Sequence, residues 1–355
     1  MWRFSSFIVL ILISITKLGV HAHPLVPCFF IFGDSLSDPG NNNRLKTKAK
    51  ANYRPYGIDI PGRKPTGRFS NGLTAVDVIA ERLGFHRRIP PFSSTKGHDI
   101  LKGVNYASGA AGIRPETGQH LGDIVSFDKQ LRNHKRLISR LNTKLNGSTQ
   151  AQAHLKKCLF TTIIGSNDYI NNYFMPEHYS TGRNYTYDSY AHSLISLYRR
   201  NLQTLYRNGA RKVAVFGLGL VGCTLGQVIQ NRPHSLCVDK VNIAVLLMND
   251  KLKTLVAELN RKYRDAKFTY INLQGMVIGP QNGITVLNRP CCQLREDFQC
   301  KASSAICNNR NTYYFWDGYH PTEAVHKIVG SRAFKSINPI EAYPFDILTL
   351  VKQKL

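Results

Sequence analysis

Four short apolar runs, at 29–32, 159–164, 213–216 and 268–271, punctuate the chain, and a briefer one lies near 104–106. Each of the four has the length and bulk of a buried strand. Between them the spacing of apolar residues predicts helices over 73–83, 124–141, 188–208 and 239–263. In the last of these, Val241, Val245, Met248, Leu252, Leu255, Leu259 and Tyr263 recur at steps of three and four, which places them on one helix face. Asp239 is positioned to cap that helix and Asp265 lies just beyond its end. Strand and helix in alternation imply a mostly parallel sheet between two helical layers, a three-layer α/β/α fold. In such a sheet the loops that follow the strands share one edge, so the segments after 32, 106 and 164 can meet there.

The first residues carry an address. Met1-Trp2-Arg3 is a short positive start, 7–15 is apolar apart from Ser14, and Val20-His21-Ala22 puts small residues at the −3 and −1 positions of a cleavage site. The apolar stretch is too short to span a bilayer, which takes about 20 residues. Residues 1–22 therefore read as a signal peptide, and 23–355 as one secreted domain, since no Pro/Ser-rich linker or repeat divides it. The eight cysteines, an even number, suit an oxidising compartment. Cys28 and Cys158 each stand at the head of an apolar run and can bridge neighbouring strands, while Cys223 and Cys237 can close a local loop. Zinc competes for Cys291, Cys292, Cys300 and Cys307, but their spacing has no C-x-x-C pair, and bridges are expected instead. Asn146-Gly147-Ser148 and Asn184-Tyr185-Thr186 are acceptor sequons for glycans.

The formal charge is +25. Loss of 1–22 removes Arg3 and Lys17 and no acid, leaving about +23. For a secreted protein the natural partners of such a charge are acidic polysaccharides or anionic surfaces rather than nucleic acid. Along the sequence the Lys and Arg are spread rather than bunched.

Candidate chemistry sits at the strand ends. The run 29–32 stops at Gly33-Asp34-Ser35, placing a serine where open α/β sheets hold their ligands. The apolar run through 164 stops at Gly165-Ser166-Asn167-Asp168-Tyr169, whose Asn167 amide is a suitable oxyanion donor. Near 105 the small residues of Ala107-Ser108-Gly109-Ala110-Ala111-Gly112 let backbone N–H groups approach a carbonyl oxygen closely. Phe315-Trp316-Asp317-Gly318-Tyr319-His320-Pro321-Thr322-Glu323 supplies an imidazole and a carboxylate three residues apart, in a loop that Thr322 or its neighbour closes by opening a helix. Each segment alone is ordinary turn or packing sequence. Their joint occurrence at strand ends describes a serine hydrolase, and the lack of G-x-S-x-G argues against the common α/β-hydrolase elbow.

The blocks FGDSLSDPGNNN around Ser35, NYASGAAG around Gly109, GSNDY around Asn167 and FWDGYHPTE around His320 resemble those of the plant-type GDSL esterases/lipases of the SGNH hydrolase superfamily, over essentially the whole mature length. The resemblance implies a flavodoxin-like fold and a location in the apoplast or cell wall. It implies Ser35 as nucleophile, His320 as base, Asp317 orienting that histidine, and an oxyanion hole of the Ser35 and Gly109 N–H groups with the Asn167 side chain. No metal and no organic cofactor is implied. The substrate would be a lipid ester or an acylated small molecule or polysaccharide. The same acyl-enzyme can serve an acyltransferase, and a non-catalytic wall-binding protein on this fold is the other alternative. Two departures stand out: Ala110 where the family commonly has a second glycine, and Leu220 where a proline is usual. The stretch Gly67-Arg68-Phe69-Ser70-Asn71-Gly72 is family-like and reads as structural. Loops 44–66, 86–98 and 171–187 are expected to wall the pocket, with Tyr173, Phe174 and Met175 serving packing.

Overall fold

The computed structural model describes residues 23–354; the segment read as a signal peptide lies outside them. Strands β1 (Phe29–Gly33), β2 (Leu159–Ile163), β3 (Lys212–Phe216) and β4 (Lys267–Ile271) pair side by side in parallel, in chain order. Val286–Pro290 and Tyr313–Phe315, β5 and β6, form a separate two-stranded ladder. The short β7 (Ala342–Tyr343) adds to β4 antiparallel and completes a five-stranded sheet. β7 has two residues and no apolar run, so periodicity has nothing to detect there.

Successive strand residues point to opposite faces, and each face meets its own core. Phe30, Phe32, Phe160, Val213, Val215, Phe268 and Tyr270 pack beneath helix α2 (Phe127–Lys144) and the long helices Tyr187–Arg207 and Asp239–Lys262. Phe29, Ile31, Leu159, Ala214, Phe216 and Ile271 pack with helix α1 (Ala75–Arg82) and helices Glu323–Phe334 and Ile347–Lys352. Two helical layers on a mostly parallel sheet are the expected architecture. At Asp239–Lys262 the expected cap is corrected: Val238 holds the N-cap position and Asp239 is the first helical residue, where its charge still complements the helix dipole.

The segment near 104–106 is also corrected. It meets β1 at a single parallel bridge, the Ile31 N–H donating to Val104 O at 3.1 Å and the Tyr106 N–H to Ile31 O at 2.7 Å. On its outer side Asn105 bridges Pro91, donating to Pro90 O and accepting the Phe92 N–H, both at 2.9 Å, and the Asn41 amide also donates to the carbonyls of Asn105 and Ala107, at 2.9 and 2.7 Å. Gly103 delivers this segment: its φ is +110°, and a Cβ there would lie 1.9 Å from the Phe29 carbonyl oxygen.

All eight cysteines are paired, as Cys28–Cys158, Cys223–Cys237, Cys291–Cys307 and Cys292–Cys300. This rules out zinc at the last four and realises both pairings read from position. Arg68 grips Asp77 with two 2.8 Å hydrogen bonds inside the fold, which ties 67–72 to the first turn of α1.

Gly103→Ala should lower the thermal midpoint by about 5 °C, because left-handed φ and a backbone clash act together. Thermal unfolding checks this, and a midpoint within about 1 °C of wild type would contradict the close approach.

Candidate active site

Ser35 follows β1 directly, and its hydroxyl lies 2.8 Å from His320 Nε2. His320 Nδ1 faces both oxygens of Asp317, at 2.9 and 2.8 Å. Ser35 and His320 are 9% and 7% exposed, and Asp317 is fully buried. Thr322 caps helix Glu323–Phe334 through the Val325 N–H, leaving His320 in the loop ahead of it.

The Asp317 loop is held from several sides. Its Oδ1 accepts the N–H groups of Tyr319 and His320, both at 2.8 Å, and its Oδ2 accepts the Tyr56 hydroxyl at 2.6 Å. Tyr56 in turn accepts the Cys300 N–H at 3.1 Å, so the disulfide-linked loop braces the carboxylate. The Gly318 N–H donates to Phe298 O and the Trp316 N–H to His320 O, each at 2.8 Å. Burial pushes the Asp317 carboxyl up, but attraction to His320 and the hydrogen bonds from His320, Tyr56 and Tyr319 outweigh it and hold it below the usual carboxylate range. The Phe69 ring lies against the imidazole, centroids 4.8 Å apart and tilted by 39°. The stretch 67–72, tied to α1 through Arg68, thus also borders His320.

The segment carrying Gly109 and the turn carrying Asn167 reach the same edge. Asp168 Oδ2 accepts the Ile113 N–H at 2.8 Å, and its Oδ1 accepts the Arg114 N–H at 3.0 Å and the Thr117 hydroxyl at 2.8 Å. The Asn167 amide donates one hydrogen to Ala111 O at 3.1 Å and accepts from Asn171 at 2.6 Å on its oxygen. This fixes its orientation and leaves its second N–H free. Among the described residues the Ser35 N–H also has no acceptor. Gly109 departs from expectation. Its N–H donates to Asp38 Oδ2 at 2.9 Å, while Asp38 Oδ1 takes the Gly40 and Asn41 N–H groups at 2.7 Å. The Gly109 N–H is thus spent on holding the Ser35 loop and the 104–112 segment together.

An imidazole so placed can take the serine proton, and the carboxylate behind it can stabilise the imidazolium. A family model for GDSL-like lipase/acylhydrolase matches residues 29–333. Three GDSL esterase/lipases of Arabidopsis thaliana are similar to the chain: two are 46% identical, over 99% and 97% of both sequences, and one is 47% identical over 93% of both. The chain belongs to the GDSL lipase/acylhydrolase family. It is a carboxylic ester hydrolase of the GDSL esterase/lipase type. Ala110, where this family commonly has glycine, sits at φ +62°, a left-handed conformation that glycine adopts without strain.

Phe69 lay in the family-like stretch 67–72, and Tyr56 and Asn171 in loops expected to wall the pocket, but none was given its part at the site, because an aromatic residue in a loop and an asparagine past a turn carry no spacing signal. Asp38, Asn41 and Asp168 lay inside the recognised blocks with no role given. Tyr173 is buried against Tyr190 and Phe174 packs beside it, so both serve packing, as expected.

Asp34 is buried beside Ser35. Its Oδ1 accepts the Leu36 N–H at 3.0 Å and its Oδ2 has no partner. Burial pushes its carboxyl up to about 7, against the opposing pull of the Leu36 N–H and His320. Burial likewise pushes Asp38 and Asp168 up to about 6. The folded state therefore holds these protons more tightly than the unfolded chain, whose carboxyls titrate near 3.8. Their contribution to stability is full below that value and is lost as pH rises towards 7. Burial holds His134 down to about 3 and His326 and His120 down to about 4, which gives the opposite slope below about pH 6.5. The Asp34 contribution is therefore read as a difference: the midpoint of Asp34→Asn relative to wild type should rise between pH 5 and about 7.5. An unchanged slope in Asp34→Asn would contradict the shift at Asp34.

Proposed function

We propose that the mature protein is a secreted serine esterase/lipase in which Ser35, His320 and Asp317 act as the catalytic triad. The observation that carries this reading is the continuous line of hydrogen bonds from Asp317 through His320 to Ser35, at the C-terminal edge of the parallel strands. His320 takes the Ser35 proton as the hydroxyl oxygen attacks the ester carbonyl. The resulting oxyanion is held by the Ser35 N–H and the free N–H of Asn167. Collapse expels the alcohol, protonated by His320, and leaves an acyl-enzyme. Water activated by the same imidazole then releases the acid. Gly109, through Asp38, keeps the Ser35 loop in register with the hole and donates to the oxyanion only if it releases Asp38.

Secretion is supported by the leader pattern over 1–22 and by the pairing of every cysteine. Asn146 and Asn184 are both exposed, as glycan acceptors must be. Among the described residues no helix is long and apolar enough to cross a membrane. Acidic polysaccharide is the partner that suits so basic a chain outside the cell.

Initial rates on a p-nitrophenyl ester series from acetate to palmitate test the proposal. Ser35→Ala should abolish turnover with the fold intact, and Asn167→Ala should lower it about 100- to 1000-fold. Wild-type turnover in Ser35→Ala would refute the nucleophile, and a loss under about threefold in Asn167→Ala would remove Asn167 from the oxyanion hole.

A further inference from the structure

The fold bunches cations that the sequence spreads. Along α2, Lys129, Arg132, Arg136, Arg140 and Lys144 follow one another at steps of three and four and are all exposed. At about 100° per residue these five fall within an arc of about 120°, one per turn, over roughly 22 Å of helix. Exposed Lys135 flanks the arc, and exposed Lys102 ends a turn that packs against α2. The only acid on the helix is Asp128, which pairs with Arg132. The opposite face, with Phe127, Leu131, Leu137 and Leu141, is buried in the core.

The stripe also has a direction. At its start the Phe127 N–H donates to Gly112 O at 3.2 Å, and the Gln130 side chain clasps Gly33 through bonds of 3.0 and 2.8 Å. The Lys129 end of the stripe is thus the end nearer the strand that leads to Ser35, and the other cations lead away from it.

We propose that the outer face of α2 is a docking stripe for a linear acidic polysaccharide, holding the polymer with one end at the Ser35 edge. Cations repeated once per turn along a line complement a chain that carries an anion on successive units, better than they complement a compact anion. A lipid surface fits less well, because the apolar face that an interfacial helix would insert is already covered by the sheet. The binding stands without the esterase reading. The delivery of an ester to Ser35 rests on it.

The test is calorimetric titration of the full secreted protein with polygalacturonate at about 50 mM salt, where exposed charges are weakly screened. Lys129→Gln/Arg136→Gln/Arg140→Gln/Lys144→Gln should weaken binding at least tenfold, and glutamine keeps the helix propensity of these positions. Lys240→Gln/Arg264→Gln/Lys301→Gln/Lys335→Gln removes the same charge from exposed sites elsewhere and should bind nearly as wild type. Both variants should hydrolyse p-nitrophenyl acetate at the wild-type rate. No binding by wild type, equal weakening in the two variants, or equally tight binding of anionic phospholipid vesicles or duplex DNA would each overturn the stripe. Loss of ester hydrolysis in wild type with binding intact would strike the esterase reading and leave the stripe standing.

Discussion

A carboxylate with no access to water organises this molecule. Asp317 is fully buried, and an unpaired buried charge would cost several kcal/mol. Its oxygens accept from the His320 ring and two N–H groups of its own loop, and from the Tyr56 hydroxyl at the other end of the chain. Tyr56 must come from the loop after the first strand, and its own oxygen must be satisfied by the Cys300 N–H. The two disulfides among Cys291, Cys292, Cys300 and Cys307 hold that donor in place. Satisfying one charge therefore locks the C-terminal loop to the N-terminal strand, and the alignment of His320 on Ser35, 285 residues apart, follows from it.

The sheet supplies the other half of the geometry. Parallel strands send their following loops to one edge, so the turns after β1 and β2 converge with the segment at Asn105 that bridges Ile31 and Pro91. Buried acids then fasten these loops to one another: Asp38 spans from the Ser35 loop to Gly109, and Asp168 gathers Ile113, Arg114 and Thr117. Both accept several hydrogen bonds, yet burial still raises them. Rigidity at this edge thus comes at some cost in stability as pH rises through about 6.

The layered fold was legible because four strands are apolar runs and four helices keep a strict three-four spacing. Ser35, Asn167, Asp317 and His320 were legible because each follows a strand end or precedes a helix cap, positions that short-range pattern marks. Tyr56 and Phe69 were not, since their partners Asp317 and His320 come from the far end of the chain; Asn171 was not, although its partner Asn167 is only four residues away. Gly109 shows the same limit at finer scale. A small residue at the right place predicts a close approach, but which acceptor its N–H meets depends on Asp38, a residue from another loop. The basic stripe on α2 was invisible for a related reason: charges four residues apart look dispersed until the helix stacks them.

On the proposed reading, this buried line of hydrogen bonds makes Ser35 the one reactive serine of the chain. Reaction of the folded protein with a serine-directed alkyl phosphonate, followed by mass spectrometry of the digested adduct, tests it directly. The expected result is one phosphonyl group per chain, located on Ser35, and loss of labelling in His320→Ala. No labelling, labelling at another serine, or undiminished labelling of Ser35 without His320 would contradict it.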